Sequence, residues 1–348
     1  MSSKHYLFYI SQNYSFAILR PLQQIILDRD DKVAWFLEGK QVDEEYLTEK
    51  EIQLHSIEAI QQFNPHAVFI PGNVIPNFIP GIKVGVFHGF NSGKVNRRGF
   101  EDHFNIRGCF DLYCTQGPNT TKKFNLLAAK HQHFSVRETG WPAIDPLYEP
   151  KNKAKGTTPT VLMCSTFSKD LTCAPHLFET VKKLATSGKW NWLIQFHPKM
   201  NKDIVEQYKT LESEHLSFIE TDNIIPLLQK SDVMVCDTSS VLIMFLLLNK
   251  PVVTFKNISP KPYLIDINDP NRLEESIEFA LSKPIDLMSK IGAFIKDTHP
   301  YQDGKSSQRV LDAVDEMLAG NNVPAKRKPL NFLRKFKMRK QLNYWKFW

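Results

Sequence analysis

Residues 231–253 read Ser-Asp-Val-Met-Val-Cys-Asp-Thr-Ser-Ser-Val-Leu-Ile-Met-Phe-Leu-Leu-Leu-Asn-Lys-Pro-Val-Val. A short apolar run of strand length leads into four polar residues, Asp237, Thr238, Ser239 and Ser240. A longer apolar run of helix character follows, and then Asn-Lys-Pro opens a second β-branched run. Strand, helix, strand in that order is the repeat unit of a parallel sheet covered by helices. A helix that starts at the polar cluster exposes its first amide N–H groups and the positive end of its dipole, so hydroxyls and amides together suit an anion such as phosphate. The same residues also suit plain helix capping, which such junctions favour in any case.

The alternation extends both ways from this stretch. His5 to Ile10, Val33 to Leu37, Ala67 to Ile70, Lys83 to His88 and Leu112 to Thr115 read as strands. Helical patterns lie around Ser15 to Asp28 and Ser56 to Phe63. Residues 149–159, polar with a proline near each end, read as a linker. Beyond it the strands resume at Thr160 to Cys164, Trp192 to His197, Leu216 to Glu220, Val233 to Cys236 and Val252 to Phe255. The expectation is an α/β chain of two Rossmann-like halves with parallel sheets facing a central cleft: residues 1–150, residues 151–322, and a tail from 323 to 348. No Gly-x-Gly-x-x-Gly and no Walker loop is present, which disfavours a dinucleotide dehydrogenase or a P-loop kinase.

Ligands of open parallel sheets bind beyond the carboxyl ends of the strands. At those ends stand His88-Gly89, Thr166, His197-Pro198-Lys199 and the Asp237–Ser240 cluster. A lone histidine at a strand end is more often structural than catalytic. Two of them, one per half, suit transfer from an activated phosphate donor. An imidazole with an ordinary pKa of about 6.5 can take an acceptor hydroxyl's proton near neutral pH, which is the role open to His88. A second can donate to diphosphate oxygens as charge builds on the leaving group, which is the role open to His197, with Lys199 beside it as a point charge. The helix start would hold phosphates without a metal.

These residues carry a resemblance. The chain resembles the CDP-glycerol glycerophosphotransferase family, the teichoic-acid primases and polymerases. The matching patterns occur in order: His88-Gly89 with Lys94, Gly140-Trp-Pro-Ala-Ile-Asp145, Thr166-Phe167 and His197-Pro198. After them come Ser231 to Val233 with Asp237 to Ser240, Asn249-Lys-Pro-Val252, and Asp303-Gly304 with Ser307 and Arg309. Coverage runs from about residue 80 to 315. The resemblance implies a GT-B fold, catalytic His88 and His197, and donor-phosphate contacts from Thr166, Lys199, Asp237, Thr238, Ser239 and Ser240. It also implies acceptor-side roles for Gly89 and Lys94. Thr238, Ala143 and Ser165 depart from the family's usual Tyr, Arg and Pro, which leaves the donor alcohol, glycerol or another polyol, open.

Composition sets the remaining bounds. Of 348 residues, 42% are hydrophobic and 23% charged, values typical of a folded globular chain. The net charge of +7 sits in the tail: residues 326–348 hold nine Lys or Arg and no acid, leaving 35 basic against 37 acidic residues before them. Aromatics interleave with those cations, a composition that suits an anionic lipid surface. A helix packed back on the body, a disordered basic tail and RNA binding are the alternatives, the last without any recognisable RNA motif. The longest apolar run, Val241 to Leu248, is far short of the roughly 20 residues that cross a bilayer, and the first ten residues lack a signal-peptide core. The chain is thus expected in the cytoplasm, peripherally on the inner face of the membrane. Cysteines 109, 114, 164, 173 and 236 form no disulfide or zinc pattern.

Together these readings predict a metal-independent, cofactor-free transferase. It would move glycerol phosphate or a related polyol phosphate from a CDP-alcohol to a hydroxyl of a lipid-linked or cell-surface glycan, with no nucleic-acid partner. A GT-B glycosyltransferase or nucleotide-sugar 2-epimerase is the rival enzyme. A non-catalytic nucleotide-binding scaffold is the rival of another class.

Overall fold

The computed structural model describes residues 3–90, 99, 101–149 and 158–346. It divides into two compact α/β units, one formed by 1–148 together with 298–348, the other by 149–297.

The first unit holds strands β1 (His5–Ile10), β2 (Lys32–Leu37), β3 (Ile52–Gln53), β4 (Ala67–Ile70), β5 (Ile82–Gly85), β6 (Leu112–Thr115) and β7 (Ser135–Glu138). They form one parallel sheet in the order β3-β2-β1-β4-β5-β6-β7. β1 and β4 are almost wholly buried, as continuous apolar runs in a sheet covered on both faces must be. The covering helices of the early chain are α1 (Tyr14–Leu27), α2 (Ile57–Phe63) and α3 (Pro118–His131).

The second unit holds β8 (Thr160–Ser165), β9 (Asn191–Phe196), β10 (Leu216–Phe218), β11 (Val233–Cys236), β12 (Val252–Phe255) and β13 (Ile265–Ile267), parallel in the order β10-β9-β8-β11-β12-β13. Its helices are α4 (Ala174–Thr186), α5 (Lys202–Lys209), α6 (Ile225–Lys230), α7 (Val241–Leu247) and α8 (Leu273–Leu281), followed by α9 (Ile285–Thr298), which ends at the unit boundary. The Asn-Lys-Pro motif has a local cause: Lys250 Nζ donates to the carbonyls of Leu228, Gln229 and Ser231 at 2.8, 2.8 and 2.5 Å. It thereby satisfies the carboxyl end of α6.

Two helices complete the first unit, α10 (Ser306–Leu318) and α11 (Phe332–Gln341). This corrects the division expected from sequence, which ran the second half to 322. The cause is a set of close joints made by residues 298–318. Gly117 lies so near the Thr298 carbonyl that a Cβ would come within 2.3 Å of it. The Asp145 carboxylate accepts the amides of Ser306 and Ser307 at 2.8 and 2.7 Å, capping α10 from a distant segment. Asp315 on α10 pairs with Lys4 and Arg29.

The tail also packs on the first unit. Met338 and Tyr344 are buried, the Arg339 guanidinium lies 4.7 Å over the Phe78 ring, and Lys328 pairs with Asp111 at 2.6 Å. The opposite side of α11 is open, with Phe332 71%, Leu333 82% and Phe336 58% exposed. Among the described residues no helix is long and apolar enough to cross a membrane. Most of the 149–159 linker, like Lys94, lies outside the described residues.

Candidate active site

His88 follows β5 in the first unit. The strand ends at Gly85, and the chain leaves the sheet through Phe87, whose φ of +59° is a costly conformation for a non-glycine residue. Neighbours hold that turn: Trp141 Nε1 donates to the Phe87 carbonyl at 3.2 Å and Gln116 Nε2 to the Gly89 carbonyl at 2.9 Å. The His88 Nδ1 lies 3.2 Å from the Pro71 carbonyl. A carbonyl only accepts, so Nδ1 donates here, and in the neutral ring Nε2 then carries the lone pair that a general base requires.

Around this imidazole stand groups that the sequence reading did not single out. The Tyr14 ring lies 5.8 Å from it. His103 stacks on Phe87 at 4.9 Å, and its pKa is pushed down to about 4, first by burial and then by the charge of His88. His103 therefore stays neutral beside the base. The Asp102 carboxylate is held below its ordinary range chiefly by Arg107, whose Nη2 donates to both of its oxygens at 2.8 and 2.9 Å. No short motif marks Tyr14, His103 or Gln116; only the topology brings them to the end of β5.

His197 follows β9 in the second unit. Its amide donates to the Ser165 carbonyl at 3.3 Å, and its Nδ1 accepts from the Lys199 amide at 3.1 Å. That bond fixes the opposite tautomer, with the proton on Nε2, ready to donate. Burial first, and the Lys199 charge second, lower its pKa, so the neutral donor form persists at neutral pH. The ring packs at 4.5 Å against Phe167, over which Lys199 Nζ also lies, at 5.9 Å. A pocket of about 370 Å³ opens beside it, lined by Gln195, Phe218 and Glu220 to Asp222.

The remaining residues of this unit join Ser165. The Asp237 carboxylate is fully buried and accepts from Ser165 Oγ at 2.6 Å, from the Thr166 amide at 3.0 Å and from the Cys173 amide at 3.1 Å. Burial raises its pKa while those donors pull it down. Asp237 was expected among the phosphate contacts. With three donors inside the protein, the carboxylate ties the ends of β8 and β11 together. Thr166 gives its amide to that anchor. Thr238 Oγ1 accepts from the Ile258 amide at 3.1 Å. Ser239 and Ser240 precede α7 with Ser240 exposed, and no side-chain cap bond is made there.

The structure thus gathers His197, Lys199, Thr166 and Asp237 to Ser240 at the carboxyl end of one sheet, and His88 with Gly89 at that of the other. Among the described residues no group of three His, Cys, Asp or Glu converges as a metal site.

Residues 111–258 match the family model described as CDP-Glycerol:Poly(glycerophosphate) glycerophosphotransferase. The chain is similar to the teichoic acid glycerol-phosphate primase of Bacillus subtilis (strain 168), 24% identical over 310 residues, covering 79% of this chain and 80% of the relative. Among solved structures it is similar to the wall teichoic acid polymerase TagF, at 14% identity and a TM-score of 0.66, covering 91% of this chain and 89% of that one. It is also similar to a putative UDP-N-acetylglucosamine 2-epimerase from Listeria monocytogenes, at 17% identity and a TM-score of 0.64, covering 94% of this chain and 100% of that one. The likeness in fold extends to both structures, while the two sequence matches, the family segment at residues 111–258 and the primase relative, both point to glycerophosphotransferases.

Proposed function

We propose that this protein transfers glycerol phosphate from CDP-glycerol, or a related polyol phosphate from its CDP-alcohol, to a hydroxyl of a lipid-linked glycan. The observation that carries the reading is the opposite hydrogen bonding of the two imidazoles, His88 Nδ1 to the Pro71 carbonyl and His197 Nδ1 from the Lys199 amide, which suits a base at His88 Nε2 and a donor at His197 Nε2. His88 takes the proton of the acceptor hydroxyl as its oxygen attacks the phosphorus that bears glycerol. The bond from that phosphorus to the bridging oxygen breaks, and CMP leaves with the bridging oxygen. His197 donates to the oxygens that gain charge, with Lys199 beside it. Ser239, Ser240 and the first amides of α7 hold the diphosphate, and Asp237 keeps that turn in place. The activated donor supplies the driving force, so the reading calls on no metal or cofactor.

The tail supports a membrane-facing acceptor. Phe332, Leu333 and Phe336 project from α11 among Lys335, Lys337 and Lys340, in a segment that holds no acid. That surface is complementary to anionic lipid at the cytoplasmic leaflet.

The test is His88→Ala with turnover and CDP-glycerol binding measured separately. Turnover should fall by roughly 10²- to 10⁴-fold while the donor Kd stays within about twofold. Transfer that survives the substitution would contradict the assignment.

A further inference from the structure

The first sheet has its strand order reversed between β1 and β4, and crevices at such switch points are where parallel sheets take ligands. A pocket of about 350 Å³ lies at this place, within the usual span of ligand pockets, roughly 300–1,000 Å³. Ser11 and Gln12 follow β1, Glu38 follows β2 and Val74 comes shortly after β4, while Arg334 and Gln341 of α11 close the far wall.

The polar groups are already ordered in pairs. Gln12 Nε2 donates to Gln41 Oε1 at 2.6 Å, and Gln341 Nε2 donates to Glu38 Oε1 at 2.9 Å. Each pair keeps donor or acceptor capacity to spare, because an amide has four hydrogen-bonding sites and a carboxylate about as many acceptor sites. Such a polar, hydroxyl-matching wall suits a saccharide.

Arg334 marks the other end. It lines both this pocket and a smaller one of about 110 Å³ that it shares with Lys328 and Lys335, and it is anchored to the Arg107 carbonyl. A phosphate would meet cations here. The exposed Leu333 and Phe336 flank Arg334 and Lys335 on the same helix. α11 thus carries polar, cationic and apolar groups together, a set that matches a saccharide, a phosphate and a lipid.

The pocket shares its loops with the groups around the base. Gln12 is two residues from Tyr14, whose ring faces His88, and the Pro71 carbonyl that orients His88 precedes Val74 on the loop lining the pocket. We infer that this pocket, walled by the C-terminal helix, is the acceptor subsite: Gln12, Gln41, Glu38 and Gln341 take the saccharide hydroxyls, and Arg334 takes its phosphate. The inference rests on the transferase reading above and adds the residues that select the acceptor.

The experiment uses the full chain and a synthetic disaccharide 1-phosphate carrying a short alkyl ester, titrated calorimetrically alongside CDP-glycerol. Gln41→Ala and Gln341→Ala should each weaken the disaccharide phosphate by about fivefold, the worth of one hydrogen bond. CDP-glycerol binding and the melting temperature should be unchanged. Arg334→Gln should weaken the disaccharide phosphate more than the same disaccharide lacking phosphate. Equal binding of the disaccharide phosphate to wild type and both glutamine variants, or none to the wild type, would overturn the subsite. Failure of the wild type to bind CDP-glycerol would instead sink the donor reading, and the two failures are read on separate titrations.

Discussion

Asp237 illustrates how a residue can be located by sequence while its partners are not. Its position at the strand–helix junction was plain in the chain, but the three donors that bury it come from Ser165, Thr166 and Cys173, far away in sequence. Asp237→Ala should therefore cost about 3 kcal/mol of stability in the second unit, since it strands buried donors and removes a charge-assisted set of bonds. Ser240→Ala should change stability by less than about 0.5 kcal/mol yet weaken CDP-glycerol. Chemical unfolding and calorimetric titration of the two variants check this pair, and equal stability losses would contradict it.

His299 gives a pH signature at the same scale. It is fully buried, accepts from the Trp141 amide at 3.0 Å, and burial pushes its pKa down to about 4. The unfolded side chain titrates near 6.5. Between these values the unfolded state binds the proton that the folded state refuses, so stability rises with pH through that window. The contribution is complete above about pH 6.5 and is lost as pH falls through 4, an effect on the order of 3 kcal/mol. His299→Gln should flatten the stability-versus-pH curve of the first unit between pH 6.5 and 4, and an unchanged slope would exclude His299 as its source.

At the scale of elements, the buried central strands were readable because parallel strands covered on both faces are continuous apolar runs. β3, β7 and β13 were not seen. Each lies at a sheet edge and is short, and their sequences, Ile-Gln, Ser-Val-Arg-Glu and Ile-Asp-Ile, mix polar with apolar residues as half-exposed edges do. β5 was read three residues too long because the apolar Val86 and Phe87 continue its pattern, although the chain has already turned out of the sheet at Phe87. The pattern Gly140-x-Pro-x-x-Asp145, legible as a motif, proves to be a joint. Gly140 has φ +82°, and a Cβ there would come within 2.5 Å of Ser306 Oγ and 2.7 Å of His299 Nε2, while Asp145 caps α10. Asp145→Ala should cost about 1–2 kcal/mol as a lost cap, and Gly140→Ala at least as much through strain at positive φ and the clash. Thermal unfolding tests both, and wild-type melting by either variant would refute the joint.

For the whole molecule, two α/β units were foreseeable from the strand count, whereas the return of residues 298–348 to the first unit was not. That return is written in close contacts, Gly117 against Thr298 and Asp145 against Ser306, which have no signature along the chain. The tail's composition was evident, but which of its apolar residues are packed and which face outward was decided only by the docking of Met338 and Tyr344. The triple variant Phe332→Ser, Leu333→Ser, Phe336→Ser should abolish binding to vesicles containing anionic lipid and leave the melting temperature unchanged, because the replaced side chains already face solvent. Undiminished vesicle binding in a sedimentation assay would rule out this face as the membrane contact.

The central claim, a CDP-alcohol as donor, is tested most directly by the thermal stabilisation of the purified full chain with CDP-glycerol, CDP-ribitol, CMP, UDP-N-acetylglucosamine and CMP-sialic acid. A ligand that binds only the native state stabilises it by about 2.7 kcal/mol at a hundred times its Kd. The account predicts a raised melting temperature with the CDP-alcohols and CMP and none with the two nucleotide sugars; a shift with UDP-N-acetylglucosamine or CMP-sialic acid alone, or with no ligand at all, would contradict it.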